Sequence, residues 1–207
     1  MQLFYIMDPM CSWCWAFSPS IDLLRKTYPQ LPITYLLGGL AQDSDTPMPV
    51  EQQTYIRSIW ETIEQKTGAN FNYNFWSECS PRRSTWPACR AVIAAEQLRQ
   101  GSAENMAKAI QHAYYLNAQN PSDIETLIAL ASQQGFDEQI FSDALNSDET
   151  HSLLAQHRAI SQQMEANGFP ALRLTYDNKL YRVTDGYMDA ESTVQKLASL
   201  MKQLNIA

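Results

Sequence analysis

The sequence has few cysteines, no basic N-terminus and no long apolar run. Four cysteines in 207 residues are too few for a secreted fold held together by disulfides. No stretch approaches the roughly 18–20 apolar residues that a membrane-spanning helix needs. The first basic residue is Arg25, so the N-terminus lacks the charge pattern of a secretory signal. We therefore expect a cytoplasmic protein, and in that reducing compartment paired cysteines are more often catalytic or metal-binding than structural.

Basic residues are also in short supply. Fifteen Lys and Arg against 22 Asp and Glu give a formal net charge of −7 and a pI near 4.9. This charge repels phosphate backbones and anionic lipids, so we expect neither a nucleic-acid partner nor a membrane partner. The 45% hydrophobic and 18% charged fractions are typical of a folded globular chain.

The opening of the chain follows a β-α-β pattern. An apolar run over residues 2–7 predicts a buried strand, and the run over residues 33–37 predicts a second one. Between them, apolar residues at helical spacing from Ser12 onward predict a helix that bends or restarts at Pro19 and is closed by Tyr28-Pro29. This order is the start of a parallel sheet.

Residues 50–167 show helical patterns and almost no strand pattern. Ser122 and Glu125 have the spacing of a capping box, which predicts that Ser122 begins a helix. The predicted helices are separated by breaks at Gly101-Ser102, Asn120-Pro121, Gly135 and Asn167-Gly168.

The strand pattern returns after Gly168. Residues 171–176 and 180–183 predict a hairpin, and Asp189 is predicted to cap a closing helix. The whole order predicts an α/β protein with a thioredoxin-like fold and a large all-helical insertion. The predicted domains are a discontinuous thioredoxin-like domain over residues 1–45 and 165–207, and an inserted α-helical domain over residues 46–164.

The sequence Cys11-Ser12-Trp13-Cys14 lies where the first predicted strand gives way to the first predicted helix. This spacing puts both sulfurs on one face of the first turn, within reach of a reversible disulfide. Unpaired N–H groups at a helix N-terminus favour a thiolate, so we expect Cys11 to be the nucleophile and Cys14 to resolve the mixed disulfide. Trp13 is the better candidate for an aromatic side chain that contacts substrate.

Two other interpretations of the cysteine pair are inert packing and metal binding. A zinc site needs two further ligands at suitable spacing, which Cys79 and Cys89 do not obviously supply. We therefore expect no metal.

Phe169-Pro170 stands between the last predicted helix and a strand. If this peptide bond is cis, the backbone N–H and C=O of Phe169 are free to pair with an extended substrate beside Cys11. The alternative is an ordinary trans proline at the start of a strand.

The residues D-P-M-C-S-W-C-W and G-F-P-A resemble the DsbA family, in particular its cytoplasmic FrnE-like branch of predicted protein disulfide isomerases. The resemblance covers most of the chain. It implies a thioredoxin fold with a helical insertion, attack by Cys11, and a cis proline at Pro170 that faces the dithiol. It also implies protein or peptide disulfides as substrates, with no cofactor beyond glutathione as a redox partner.

Cys79 and Cys89 bracket a segment in which Thr85 is predicted to cap a helix. Cys89 then lies in the first turn, near Arg82, Arg83 and Arg90, and an exposed thiol in such surroundings is reactive. In related proteins a helix of this pattern borders the active-site cleft, which suggests Cys79 and Cys89 as a second redox pair. The alternative is that both are buried, inert thiols.

Two other functions stay open on the sequence. One is a glutathione-dependent transferase or isomerase of the kappa-class or 2-hydroxychromene-2-carboxylate isomerase type, whose members are similar in fold. Those relatives typically carry serine where this chain has Cys11. The other is a non-enzymatic redox sensor or binding module, which is oxidised stoichiometrically but does not turn over.

Overall fold

The computed structural model describes residues 1–206. The strands are β1 (Gln2–Met7), β2 (Ile33–Leu37), β3 (Ala171–Tyr176) and β4 (Lys179–Asp185). The helices are α1 (Ser12–Thr27), α2 (Val50–Thr67), α3 (Phe75–Glu78), α4 (Trp86–Leu98), α5 (Ala103–Tyr115), α6 (Ile124–Gln133), α7 (Glu138–Leu145), α8 (Asp148–Gln163) and α9 (Ala190–Gln203). The predicted α/β class, with helices inserted between β2 and β3, is confirmed. Among the helices of residues 1–206, none is long and apolar enough to cross a bilayer.

The sheet brings three connections to one edge. Its strand order is β2-β1-β3-β4, with β1 parallel to β2 and antiparallel to β3. Met7 at the end of β1 pairs with Leu37 at the end of β2, and Ile6 pairs with Ala171 at the start of β3. The dithiol that follows β1, the glycines that follow β2 and the proline that precedes β3 therefore meet at this edge.

Alternating side chains of β1 bury two faces of the sheet. Leu3, Tyr5 and Met7 belong to the main core, while Ile6 lies in a second cluster. Helices α1 and α9 pack together beside the main core, and α8 contacts β2.

The inserted helices have an aromatic centre at Trp60, which is completely buried. Its ring lies within 4.9–6.0 Å of six aromatic neighbours: Phe71, Tyr73, Phe75, Trp76, Tyr114 and Tyr115. Trp15 of α1 stacks on Tyr115 at 5.6 Å, and the main core is continuous from the sheet into the helices. The predicted domain boundaries stay a prediction.

Helix α1 continues through Pro19 without restarting, contrary to one reading of the sequence. The buried face of the helix extends to both sides of the proline, with Phe17 before it and Ile21 and Leu24 after it. Burial of this continuous apolar face outweighs the backbone hydrogen bond that proline cannot donate.

The predicted capping box at Ser122 is wrong. The helix begins after Asp123, and the hydroxyl of Ser122 instead donates to the carbonyl oxygen of Ser84 at 2.7 Å. The hydroxyl of Ser122 is therefore used in a tertiary contact, although the local sequence pattern predicted that it caps α6.

Helix α8 ends at Gln163, several residues before the predicted break at Asn167-Gly168. The cause is Arg173 of β3, whose guanidinium donates to the carbonyl oxygens of Met164 and Glu165 at 2.8 and 2.9 Å. These bonds satisfy backbone groups that the end of a helix leaves unpaired.

Candidate active site

Cys11 and Cys14 occupy the junction between β1 and α1. Cys11 is the N-cap residue, with extended backbone angles, and its carbonyl oxygen accepts from the backbone N–H groups of Cys14 and Trp15 at 2.9 and 3.0 Å. Both cysteines are free thiols. Cys11 is 8% exposed, whereas Cys14 is completely buried. An incoming molecule therefore reaches Cys11 first.

Burial sets the protonation state of Cys14. It raises the pKa of this thiol well above its usual value, and the neighbouring Cys11 acts in the same direction. A hydrogen bond from the backbone of Asp8 acts against them. Cys14 is consequently a thiol at neutral pH.

Phe169 and Pro170 lie directly opposite the dithiol. Sγ of Cys11 donates to the carbonyl oxygen of Phe169 at 3.8 Å, and the peptide bond between Phe169 and Pro170 is cis, as the resemblance implied. The ring of Phe169 rests on the backbone of Gly38, where a Cβ atom would lie 1.8 Å from Cζ of the ring. Only glycine leaves room for this ring position.

Asp8 is a fully buried carboxyl group beneath the dithiol. Its oxygens accept from the backbone N–H groups of Met10 and Leu40 at 2.8 and 2.7 Å and from the hydroxyl of Thr85 at 2.6 Å. Burial raises the pKa of Asp8, although these bonds oppose the shift. Through these bonds Asp8 connects the segments that contain Met10, Leu40 and Thr85. The sequence analysis did not predict this role. The available signal was an acidic residue directly after a buried strand and three positions before Cys11.

Trp13 is partly buried and packs against Tyr187, with 5.6 Å between ring centroids. It also lines a cavity of about 170 Å³ that opens beside Cys11. The structure therefore brings together five residues that the sequence singled out: Cys11, Trp13, Cys14, Phe169 and Pro170. That they act in catalysis or binding stays a prediction.

The structure does not join Cys79 to Cys89. Both are free thiols; Cys79 donates to the carbonyl oxygen of Ala118 at 3.0 Å. Thr85 precedes α4 at its N-cap position, but the predicted capping bond is absent because its hydroxyl donates to Asp8 instead. Cys89 is completely buried, and burial with the nearby Asp8 raises its pKa. Arg90 acts in the opposite direction and is outweighed. The sequence suggested that Cys89 is an exposed thiol near positive charge, but the structure buries it.

Potential metal ligands are dispersed in the described part of the chain. Residues 1–206 contain no group of three or more His, Cys, Asp or Glu side chains placed to hold an ion. The thiols of Cys11 and Cys79 instead donate to backbone carbonyl oxygens.

Comparison with known proteins gives a family match over almost the whole chain. Residues 3–198 match the family described as DSBA-like thioredoxin domain. A candidate protein disulfide isomerase from Nitrosomonas europaea is 30% identical, with 97% of each chain covered and a TM-score of 0.87. The cytosolic disulfide reductase DsbM from Pseudomonas aeruginosa, also solved with GSH, has the same fold at 24% identity, full coverage of both chains and a TM-score of 0.80.

One curated relative carries a different description. The ClpXP adapter protein SpxH of Bacillus subtilis is 24% identical over 174 residues, which are 83% of this chain and 57% of that protein. The chain thus spans less than two thirds of the length of the curated relatives it matches.

Proposed function

Because the chain belongs to the family of DSBA-like thioredoxin domains, we propose that it is a cytoplasmic thiol–disulfide oxidoreductase that reduces or isomerises protein or peptide disulfides. One observation carries the proposal: a partly accessible Cys11 lines a cavity at the start of α1, and a completely buried Cys14 lies one helical turn further on. A disulfide exchange reaction needs these two positions, one for attack and one for release.

The proposed reaction transfers two electrons from the dithiol to the substrate. The thiolate of Cys11 attacks one substrate sulfur, so that a mixed disulfide forms and the other substrate sulfur leaves as a thiolate, which takes a proton. Cys14 then loses its proton and attacks Sγ of Cys11, which releases the second substrate thiol and leaves a Cys11–Cys14 disulfide. The N–H groups at the start of α1 stabilise the negative charge on Cys11.

The carbonyl oxygen of Phe169 supports a substrate-binding role for this segment. It lies 3.8 Å from Sγ of Cys11 and accepts no other hydrogen bond among residues 1–206. The backbone of an extended substrate can donate to this oxygen while its disulfide reaches Cys11. Trp13, which lines the neighbouring cavity, provides an apolar contact for the same substrate.

Glutathione is the proposed recycling reductant. In a cytosol the ambient thiol pool favours reduction, so we expect reductase or isomerase activity in preference to net oxidation. The similar fold of DsbM, solved with GSH, supports this choice. Two glutathione molecules reduce the Cys11–Cys14 disulfide and leave as glutathione disulfide.

Insulin reduction with glutathione as the electron source tests the proposal. Cys11→Ala should lower the rate to that of glutathione alone, and Cys14→Ala should accumulate a mixed disulfide on Cys11 that mass spectrometry detects. Cys79→Ala is the matched control, because that thiol contacts a backbone carbonyl away from the dithiol, and it should retain the full rate. A fully active Cys11→Ala variant would exclude the proposed mechanism.

A second candidate function is a redox-sensitive binding module. The description of the curated relatives as ClpXP adapter proteins favours it. Turnover separates the two functions: a binding module is oxidised once per molecule, while an enzyme reduces many insulin disulfides. Multiple turnovers at substoichiometric protein would exclude a purely non-enzymatic role.

A glutathione-dependent transferase or isomerase is less well supported. The relatives on which that alternative rests typically carry serine in place of the first cysteine, while this chain retains both Cys11 and Cys14. Such an enzyme needs no resolving thiol. Full loss of insulin reduction in Cys14→Ala during repeated turnover would therefore count against it.

A further inference from the structure

The cavity beside Cys11, which we name the Cys11 cavity, has an apolar wall and a polar end. It has a volume of about 170 Å³ and lies between the start of α1 and the inserted helices. The wall consists of Met10, Trp13, Leu40, Met48, Ile56 and Ile59. The polar end contains Tyr114 and two arginines, Arg82 and Arg83. This combination is typical of a site that accepts an apolar body with one polar group in a fixed position.

Tyr114 provides an unused hydrogen-bond donor. Its side chain is only 5% exposed, and it lines the Cys11 cavity. Its ring is held by Trp60 and Phe75, with centroid distances of 5.4 and 4.7 Å. None of the hydrogen bonds within residues 1–206 involves its hydroxyl group. A hydroxyl group on a rigidly held, almost fully buried ring, with no partner in the protein, can donate a hydrogen bond to a bound molecule.

The two arginines of the Cys11 cavity differ in their partners. Arg82 is paired with Asp123 and also donates to the carbonyl oxygen of Ser122. Arg83 is exposed and takes part in no ion pair of the described chain. Burial raises the pKa of the Tyr114 hydroxyl, and the charge of Arg83 lies close enough to oppose this rise. Asp8 and Cys79 reinforce the rise, so Tyr114 stays protonated at neutral pH and can act as a donor.

We propose that Arg83 and Tyr114 form a carboxylate-binding subsite that selects anionic thiol peptides and their disulfides for exchange at Cys11. This inference rests on the proposed function and adds its substrate class. A guanidinium and a phenolic hydroxyl are donors that suit a carboxylate oxygen pair. The chain as a whole carries −7, so an anionic substrate is repelled at long range and needs a local cation beside the reactive sulfur.

In this proposal, different parts of the substrate contact different residues of the site. The sulfur lies at Cys11, the backbone next to it faces the carbonyl oxygen of Phe169, and the carboxylate is bound by Arg83 and Tyr114. The apolar lining contacts the uncharged part of the substrate, while the carboxylate meets the exposed guanidinium of Arg83. A tripeptide such as glutathione, with two carboxylates flanking a cysteine, is a suitable probe of this class.

Oxidation of the reduced protein by three disulfides tests the selectivity. Glutathione disulfide is anionic, bis(2-hydroxyethyl) disulfide is neutral and cystamine is cationic; stopped-flow tryptophan fluorescence gives each second-order rate constant. We expect Arg83→Gln to lower the rate with glutathione disulfide roughly tenfold and Tyr114→Phe to lower it several-fold, the range for a lost charge-assisted hydrogen bond. Rates with the neutral disulfide should be unchanged. Lys179→Gln removes an equal charge at the opposite end of the sheet and should change none of the rates.

Binding of S-methylglutathione separates this inference from the proposed function, since that compound cannot exchange disulfides. Calorimetry should show binding to the wild-type protein and to Lys179→Gln, and roughly tenfold weaker binding to Arg83→Gln. If S-methylglutathione binds in this way but no disulfide is reduced, the subsite stands and the proposed enzymatic function fails. If all three disulfides are reduced but Arg83→Gln affects them equally, or if S-methylglutathione does not bind, the subsite is excluded while the oxidoreductase function stands.

Discussion

Sγ of Cys11 lies 3.8 Å from the carbonyl oxygen of Phe169, although 158 positions separate the two residues in the chain. The sheet creates this proximity, because the end of β1 pairs with the start of β3. The ring of Phe169 in turn rests on Gly38, which follows β2. Three separate segments therefore determine where a substrate backbone meets the attacking sulfur.

Gly38→Ala should slow disulfide exchange. The added Cβ atom would lie 1.8 Å from the ring of Phe169, so the ring must move, at a cost in stability of about 1–3 kcal/mol. We expect the neighbouring carbonyl group to shift with it. A displacement of this kind beside a reacting atom lowers rates by roughly 10- to 100-fold. Insulin reduction and urea unfolding measure the two effects.

Gly168→Ala is the matched control for this substitution. A Cβ atom at Gly168 meets no heavy atom within 4 Å, and Gly168 adjoins Phe169 in the chain. Equal rates for the two alanine variants would show that the ring position of Phe169 does not matter for exchange.

Resolution by Cys14 should accelerate as the pH rises. Burial is the largest cause of the raised pKa of Cys14, and it persists when Cys11 is held in a mixed disulfide. Below its pKa the thiolate fraction of Cys14 grows tenfold per pH unit, so the release rate should rise roughly tenfold per unit above neutrality. Single-turnover release of glutathione from a preformed mixed disulfide on Cys11 measures this rate. A flat profile between pH 7 and 9 would contradict the assignment of Cys14 as a buried, protonated resolving thiol.

Cys79 and Cys89 should be dispensable for exchange. Burial raises the pKa of both thiols, and Cys89 is inaccessible to solvent. In the folded protein we expect iodoacetamide to label Cys11 first and to leave Cys89 unmodified until urea is added. The Cys79→Ala/Cys89→Ala double variant should retain the insulin reduction rate. A disulfide between these two cysteines, found by mass spectrometry in a glutathione redox buffer, would instead establish the second redox pair that the sequence suggested.

Arg173→Met should destabilise the fold strongly. Arg173 is 1% exposed, pairs with Asp185, and donates to four backbone carbonyl oxygens around the end of α8 and the hairpin. Its removal leaves these carbonyl oxygens without their donor, at a cost of about 1–3 kcal/mol for each buried oxygen that stays unpaired. Arg182, its cross-strand neighbour, also pairs with Asp185, but its side chain is 56% exposed. Arg182→Met should therefore cost at most about 1 kcal/mol; equal losses for the two variants in urea unfolding would refute this role of Arg173.

The sequence by itself determined the strands at residues 2–7, 33–37 and 171–176 and the helix that follows Cys11. These elements could be predicted because short apolar runs and helical spacing act locally, and because Cys11 and Cys14 are close along the chain. The DsbA-like resemblance rested on the same contiguous residues.

Only the tertiary structure decided which side chains share the site. Three features depend on contacts between elements far apart in the chain. Asp8 and Cys89 are buried, the ring of Phe169 packs on Gly38, and Tyr114 and Arg83 line the same cavity. The end of α8 was mispredicted for the same reason, since its carbonyls are bound by Arg173 of a later strand. Local patterns record the conformational preference of a segment, but burial and long-range hydrogen bonds arise only when segments pack together.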